Sequence, residues 1–155
     1  MAKAKRRLGI CGYANSGKTC LIEQLIAALK KEGMRLAVVK HMAEPMNIDS
    51  PQSDTGRFYQ AGATVLGYDG QAIFIRSRQQ NAFSPDEAIN QLGEDFDLVL
   101  IEGFKSSTID KIWLLREGED HPPKNISNII AVLEWSENRF EQALMAVRNW
   151  LKSER

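Results

Sequence analysis

The sequence predicts an α/β domain: a mainly parallel sheet with an antiparallel portion in its middle, and helices on both faces. Three observations carry this. Short apolar runs recur at Leu8-Gly9-Ile10-Cys11, Leu36-Ala37-Val38-Val39, Leu98-Val99-Leu100-Ile101, Ile112-Trp113-Leu114-Leu115 and Ile129-Ile130-Ala131-Val132-Leu133, as buried strands require. Between the first two runs the apolar period becomes that of a helix. Strand, helix and strand joined by short connections form a βαβ unit, which implies parallel pairing.

The first strand, Leu8 to Cys11, stops at Gly12. From Lys18 on, Leu21, Ile22, Leu25, Ile26 and Leu29 fall on one helix face, and Gly33 sits where a left-handed C-terminal cap belongs. Met42 to Gly56, with Pro45 and Pro51, reads as a long loop, a length that usually carries function or disorder. A short helix is expected over Arg57 to Ala61, ended by Gly62. Thr64-Val65-Leu66 and Ala72-Ile73-Phe74-Ile75 predict two strands about the turn Asp69-Gly70. Ser84-Pro85-Asp86-Glu87 is a capping box with proline at the first helical position, so a helix runs to about Leu92 before Gly93. Ser136 is placed to cap a last helix whose Phe140, Leu144, Val147 and Leu151 share a face.

The chain of 155 residues fits a single domain, 1–155, with ordinary globular proportions of 43% hydrophobic and 26% charged residues. Basic and acidic residues number 20 each, so no whole-protein field points to nucleic acid or an anionic membrane. The Lys3, Lys5, Arg6, Arg7 cluster reads as a solvated terminus. No apolar run approaches the ~20 residues that span a bilayer, and no secretory h-region follows the N-terminal charges. The two cysteines, Cys11 and Cys20, fit neither a disulfide framework nor a zinc site, and read as reduced thiols of a cytoplasmic protein.

Between the first strand and the first helix lies Gly12-Tyr13-Ala14-Asn15-Ser16-Gly17-Lys18-Thr19, the pattern Gly-x-x-x-x-Gly-Lys-[Ser/Thr] of a P-loop. Each fixed position has a mechanical reason. The glycines let successive N–H groups turn inward around phosphate oxygens. The following helix aims its unsatisfied donors and positive dipole end at the same anion. Lys18 supplies a full charge to the β and γ phosphates, and the Thr19 hydroxyl can ligate Mg²⁺. Cys20, next in the chain, extends the set of residues expected at the nucleotide. The sequence therefore predicts a P-loop NTPase-type three-layer fold that binds a nucleoside triphosphate.

A P-loop needs an acid to hold magnesium or position water. Glu102 is the leading candidate, because it closes the apolar strand Leu98 to Ile101, and ligands of such sheets sit beyond the carboxyl ends of strands. Asp97, at the other end of that strand, reads as structural. Lys40 and His41 close the second strand on the same edge. Asp49 and Asp54, in the long loop, are candidates for an approach to Mg²⁺, and His41 is a weaker candidate base with no fixed partner. Lys105 can add positive charge near phosphate or pair with Glu102, whereas His121 reads as exposed loop.

Taken together, these residues resemble the MobB family, the molybdopterin-guanine dinucleotide biosynthesis protein B proteins. The P-loop, Lys40-His41, Asp49, Asp54, Arg57, Ala61-Gly62-Ala63, Glu102-Gly103-Phe104-Lys105 and Lys111-Ile112 occur in that family's order, over about residues 7 to 134. The resemblance implies a GTP-binding accessory protein of molybdenum cofactor biosynthesis that assists formation or delivery of molybdopterin guanine dinucleotide. It further implies GTP and Mg²⁺ as cofactors, weak hydrolysis, a homodimer, and partnership with molybdopterin guanylyltransferase or molybdoenzyme maturation proteins. By matching positions, phosphate binding falls on Gly12 to Thr19, and metal binding or water positioning on Asp49 and Glu102, beside the Thr19 hydroxyl already named for the metal. Met42, Ala43 and Glu44 stand where the family carries histidine, and Cys20 where it carries a second threonine, as in a divergent branch.

Two other readings compete with the accessory protein. A small-molecule kinase needs a basic lid, for which Arg76 and Arg78 are the nearest pair, with Asp49 as base. A regulatory switch uses nucleotide only to change partner affinity. No Asn-Lys-x-Asp motif occurs, so the residues alone leave the base unread.

Overall fold

The computed structural model describes residues 6–42, 44, 46–80, 82–93 and 95–153. Lys3, Lys5, Ala43 and Pro45, named above, lie outside the described residues. The chain forms two compact units, one of the residues up to His41 together with those from Ile89, the other Met42–Ala88.

The first unit is built on five parallel strands. They are β1 (Arg7–Gly12), β2 (Leu36–Lys40), β5 (Leu98–Glu102), β6 (Lys111–Leu114) and β7 (Ile129–Leu133), in the order β2-β5-β1-β6-β7. The helix α1 (Lys18–Lys31) and the last helix α4 (Arg139–Ser153) pack on one face of this sheet. There Leu8, Ile10, Leu98, Leu100, Ile112 and Leu114 meet Leu21, Leu25 and Leu29 of α1 and Ala143 and Val147 of α4. Gly33, at φ 81°, ends α1 as expected. On the opposite face, Ile89 packs with Ala37, Val99 and Ile101, and Cys11 packs with Trp113 and Leu115.

The buried face of α4 differs from the predicted stripe. Arg139, Ala143, Val147 and Trp150 are buried, while Phe140, Leu144 and Leu151 are only partly so. The helix also begins at Arg139, after a turn in which the Arg139 N–H donates to the Ser136 carbonyl.

The second unit holds α2 (Asp54–Gln60) and an antiparallel hairpin of β3 (Val65–Tyr68) and β4 (Ile73–Arg76), and α3 (Pro85–Asn90) starts within it. The hairpin is the expected antiparallel portion, but it forms its own two-stranded sheet. The helix α2 starts three residues earlier than predicted, because the Ser53 hydroxyl accepts from the Gly56 N–H and caps it. The capping box of α3 forms as read: the Glu87 N–H donates to Ser84 Oγ at 3.2 Å, and the Ser84 N–H donates to Glu87 Oε2 at 2.7 Å. No helix among the described residues is long and apolar enough to cross a membrane.

Candidate functional site

The parallel sheet brings the carboxyl ends of β1, β2, β5 and β6 to one edge, and the P-loop grows from β1 there. Gly12 has φ 156°, and a Cβ on it would lie 2.6 Å from the Leu114 carbonyl oxygen and 2.5 Å from Ser16 Oγ. The first of these contacts is with backbone that cannot yield, so the position demands glycine. Asn15 (φ 61°) and Gly17 (φ 85°) take left-handed conformations that curl the chain, and Gly17 occupies the cap position of α1. The N–H groups opening α1 have no intrahelical acceptor and present a ready anion site.

Lys18 folds into this loop. Its ammonium donates to the Tyr13 carbonyl at 2.8 Å, the Gly12 carbonyl at 3.2 Å and Ser16 Oγ at 3.4 Å. Burial pulls its pKa below the ordinary lysine value, the Glu102 and Cys11 charges oppose that, and Lys105 and Lys40 add to it. Thr19 and Cys20 are exposed at the helix start, beside the half-buried Gly17 and Lys18.

Glu102 closes β5 between Lys40 of β2 and Ile10 of β1, its register partners on either side. Its carboxylate is 15% exposed, 3.9 Å from Lys40 Nζ, and within electrostatic reach of Lys18. The chain then turns sharply through Gly103 (φ 101°) and Phe104 (φ 51°), whose ring lies 5.0 Å from that of His41. His41 thus has an aromatic neighbour there, which gives no support to a base role.

The sheet edge also gathers cations: Lys105, expected near phosphate or paired with Glu102, and Arg116, which no motif announces. Lys105 Nζ and the Arg116 guanidinium lie 5.3 and 4.9 Å from the ring centre of Tyr13, a P-loop residue. Arg116 follows β6 just as Glu102 ends β5, so the strand-end rule that found one could have found the other. Arg139 is 8% exposed and donates to the carbonyls of Ser16 (2.6 Å), Glu134 (2.8 Å), Leu133 (3.1 Å) and Leu115. No sequence pattern announces such a buried arginine. Lys111, fully buried, donates to the Ser107 and Ser127 carbonyls at 2.8 Å each. Cys11 is buried with its thiol 3.1 Å from the Gly103 carbonyl, and burial pushes its pKa up.

Asp49 belongs to the second unit. Its carboxylate accepts from Ser53 Oγ at 2.5 Å and from Thr55 Oγ1, and these hydroxyls hold its pKa below the usual carboxylate value. That bonding organises the start of α2. Arg76 and Arg78 stack on the ring of Tyr59, 3.8 and 4.9 Å from its centre. The sequence-named lid pair is therefore engaged within its own unit. Among the described residues no three His, Cys, Asp or Glu side chains converge as a metal cage. A magnesium ion held largely by phosphate and water needs only one or two protein oxygens. The Thr19 hydroxyl and the Glu102 carboxylate supply oxygens of the kind it takes.

Fold and loop together define a P-loop nucleotide-binding protein. The family model for molybdopterin guanine dinucleotide synthesis protein B matches residues 7–135, and the chain belongs to that family, MobB. It is 32% identical to a molybdopterin-guanine dinucleotide biosynthesis adapter protein of Haemophilus influenzae, across 93% of this chain and 88% of that one. An adapter protein of the same name from Escherichia coli is 31% identical, across 92% and 85%. Among solved structures, a MobB protein homolog from Bacillus stearothermophilus shares the fold, with a TM-score of 0.67 at 22% identity over 95% of this chain and 98% of that one.

Proposed function

We propose that this chain is a GTP-binding accessory protein in the making of molybdopterin guanine dinucleotide. Its P-loop takes up GTP with Mg²⁺, and hydrolysis is slow. The observation that carries the reading is Lys18, seated inside a glycine-shaped loop at the start of α1, in a chain of the MobB family. The phosphates lie against the N–H groups opening α1, with Lys18 on the β and γ phosphates. Thr19 and Glu102 hold the metal directly or through water, and Asp49 is kept as a third candidate ligand or water-positioning group.

Fast hydrolysis needs an ordered water and added positive charge at the transition state. Arg139 is committed to backbone carbonyls and Arg116 rests against the Tyr13 ring, so turnover is expected to stay slow until a partner acts. That partner is a molybdopterin guanylyltransferase or a molybdoenzyme maturation protein, in the cytoplasm. A homodimer fits the hairpin, where cross-strand neighbours Tyr68 and Ile73 are 78% and 72% exposed.

Titration calorimetry with GTP and with inorganic tripolyphosphate, each with Mg²⁺, tests the reading. Wild type is expected to bind both, with GTP displacing a fluorescent analogue better than ATP. Lys18→Ala is expected to lose at least ~2 kcal/mol for both ligands. Equal affinity of wild type and variant would remove the phosphate assignment.

A further inference from the structure

Beside the P-loop, a cleft of about 230 Å³ opens between the first turns of α1 and the connection from β7 to α4. Gly17, Cys20 and Gln24 form one wall, and Trp135, Glu137 and Arg139 the other. We infer that this cleft seats the base of the bound nucleotide, with Trp135 as its stacking surface and Glu137 as the acceptor that selects guanine. The inference rests on the nucleotide reading of the P-loop and supplies the base recognition that reading lacks.

Position comes first. Phosphates on the N–H groups that open α1 leave the nucleoside to emerge past Cys20, and Cys20 lines the cleft. The volume falls below the ~300–1,000 Å³ of sites that enclose whole ligands, and suits one planar ring system.

The wall is fixed in place. Trp135 Cζ3 lies 3.6 Å from where a Cβ on Gly17 would stand, so the indole sits against the phosphate cradle itself. Arg139 ties the two walls together: one guanidinium nitrogen donates to Ser16 of the loop and another to Glu134, the residue before the indole. The same guanidinium lies 5.0 Å from the Trp135 ring centre, yet the residue remains 55% exposed. A large aromatic held open beside a nucleotide loop, and preorganised by a buried arginine, offers a base a stacking platform.

Chemistry then names the base. Guanine presents two donors on one edge, N1–H and the 2-amino group, and a carboxylate offers two acceptor oxygens to match them. Adenine presents a lone pair at N1, which a carboxylate repels. Glu137 is the one carboxylate of the cleft lining. The sequence carries no Asn-Lys-x-Asp motif, so a guanine-reading carboxylate has to come from elsewhere in the chain. Glu137 lies two residues past the stretch that the family model matches, which ends at residue 135.

Calorimetric titration of wild type, Trp135→Ala, Trp135→Phe and Glu137→Gln with GTP, ITP, ATP and inorganic tripolyphosphate, all with Mg²⁺, tests the assignment. Wild type is expected to prefer GTP over ITP, which lacks the 2-amino group, and over ATP. Trp135→Ala is expected to lose about tenfold for all three nucleotides, with tripolyphosphate binding unchanged, and Trp135→Phe to recover most of it. Glu137→Gln is expected to lose about tenfold for GTP and to bring the GTP-to-ATP ratio close to one. Both side chains are exposed, and matching thermal unfolding curves show that the fold is kept. Unchanged GTP affinity in both variants, or an equal loss for tripolyphosphate, overturns the base site while Lys18→Ala still reports on the phosphate reading. If wild type binds neither GTP nor tripolyphosphate, both readings fall.

Discussion

Replacing Arg139 by alanine probes the joint between the P-loop and the last helix. In the folded chain its guanidinium donates to four backbone carbonyls, those of Ser16, Leu115, Leu133 and Glu134. A hydrogen bond to a charged group contributes about 1.5–3 kcal/mol, so four such bonds simply added would total about 6–12 kcal/mol. Two corrections reduce that. Burial of the guanidinium, which also pulls its pKa below the ordinary arginine value, costs several kcal/mol that the variant recovers. The Leu133 carbonyl keeps a second donor, the Leu115 N–H at 2.9 Å. What remains is about 3 kcal/mol, a large share of the ~5–15 kcal/mol that holds a domain folded. At about 2–4 °C per kcal/mol in a chain of this size, Tm falls by about 6–12 °C. Arg139→Lys keeps charge but loses the fork, and is expected to fall between the two. Urea unfolding followed by circular dichroism measures the loss, and the guanidinium's burial predicts that added salt leaves it nearly constant. A loss below 1 kcal/mol, or one that vanishes in high salt, would refute the count of buried carbonyl bonds.

Three other perturbations separate the roles assigned here. Glu102→Gln is expected to leave GTP binding in place while residual hydrolysis and its magnesium dependence fall together; an unaltered magnesium dependence moves the metal role to Asp49, with Asp49→Asn as the parallel variant. Of the two thiols, exposed Cys20 is expected to react quickly with a disulfide reagent and to be protected by GTP, whereas buried Cys11 stays inert in the folded chain; equal rates would refute the burial of Cys11. Asp49 has a folded pKa below its unfolded one, so its contribution to stability is present above the unfolded value and is lost as pH falls through the folded value. An NMR titration is expected to place its midpoint below that of an unstructured aspartate, and Thr55→Val to raise it.

Much of the candidate site is legible because it is local in sequence. The glycines, lysine and threonine of the P-loop are adjacent, and the strand before and helix after them carry unmistakable periods. Glu102 was legible by a rule about strand ends, and the structure sets it beside β1 at Ile10. The start of α2 was missed because its signal is a cap, Ser53, with no apolar stripe behind it: Gly56 is its one buried residue. The face of α4 was misjudged by a fraction of a turn, since Ala143 and Trp150 compete with Leu144 and Leu151 for a wide apolar surface. Arg139 was invisible for a different reason. Its partners are carbonyls from distant segments, and no local pattern records where those will converge.

Among the described residues of the first unit, Lys18, Lys111 and Arg139 bond to backbone carbonyls, and their partners decide which of them is free to work. Arg139 and Lys111 each bridge separate segments: Arg139 joins the P-loop to the strands and turn before α4, and Lys111 joins the stretches around Ser107 and Ser127. Releasing either would leave a buried charge without its acceptors, so neither is suited to meeting a ligand. Lys18 bonds only within its own loop, to Gly12, Tyr13 and Ser16, and is half-buried. A charged phosphate adds ion-pair attraction to the hydrogen bonds that neutral carbonyls offer it. It can therefore turn from the loop to the ligand at small net cost, while the glycine-determined backbone keeps its shape. The same geometry gives Lys18 two tasks, ordering the loop and binding phosphate. A Lys18→Ala loss in affinity thus contains both, and Lys18→Met, which restores the aliphatic stem without the charge, isolates the electrostatic share.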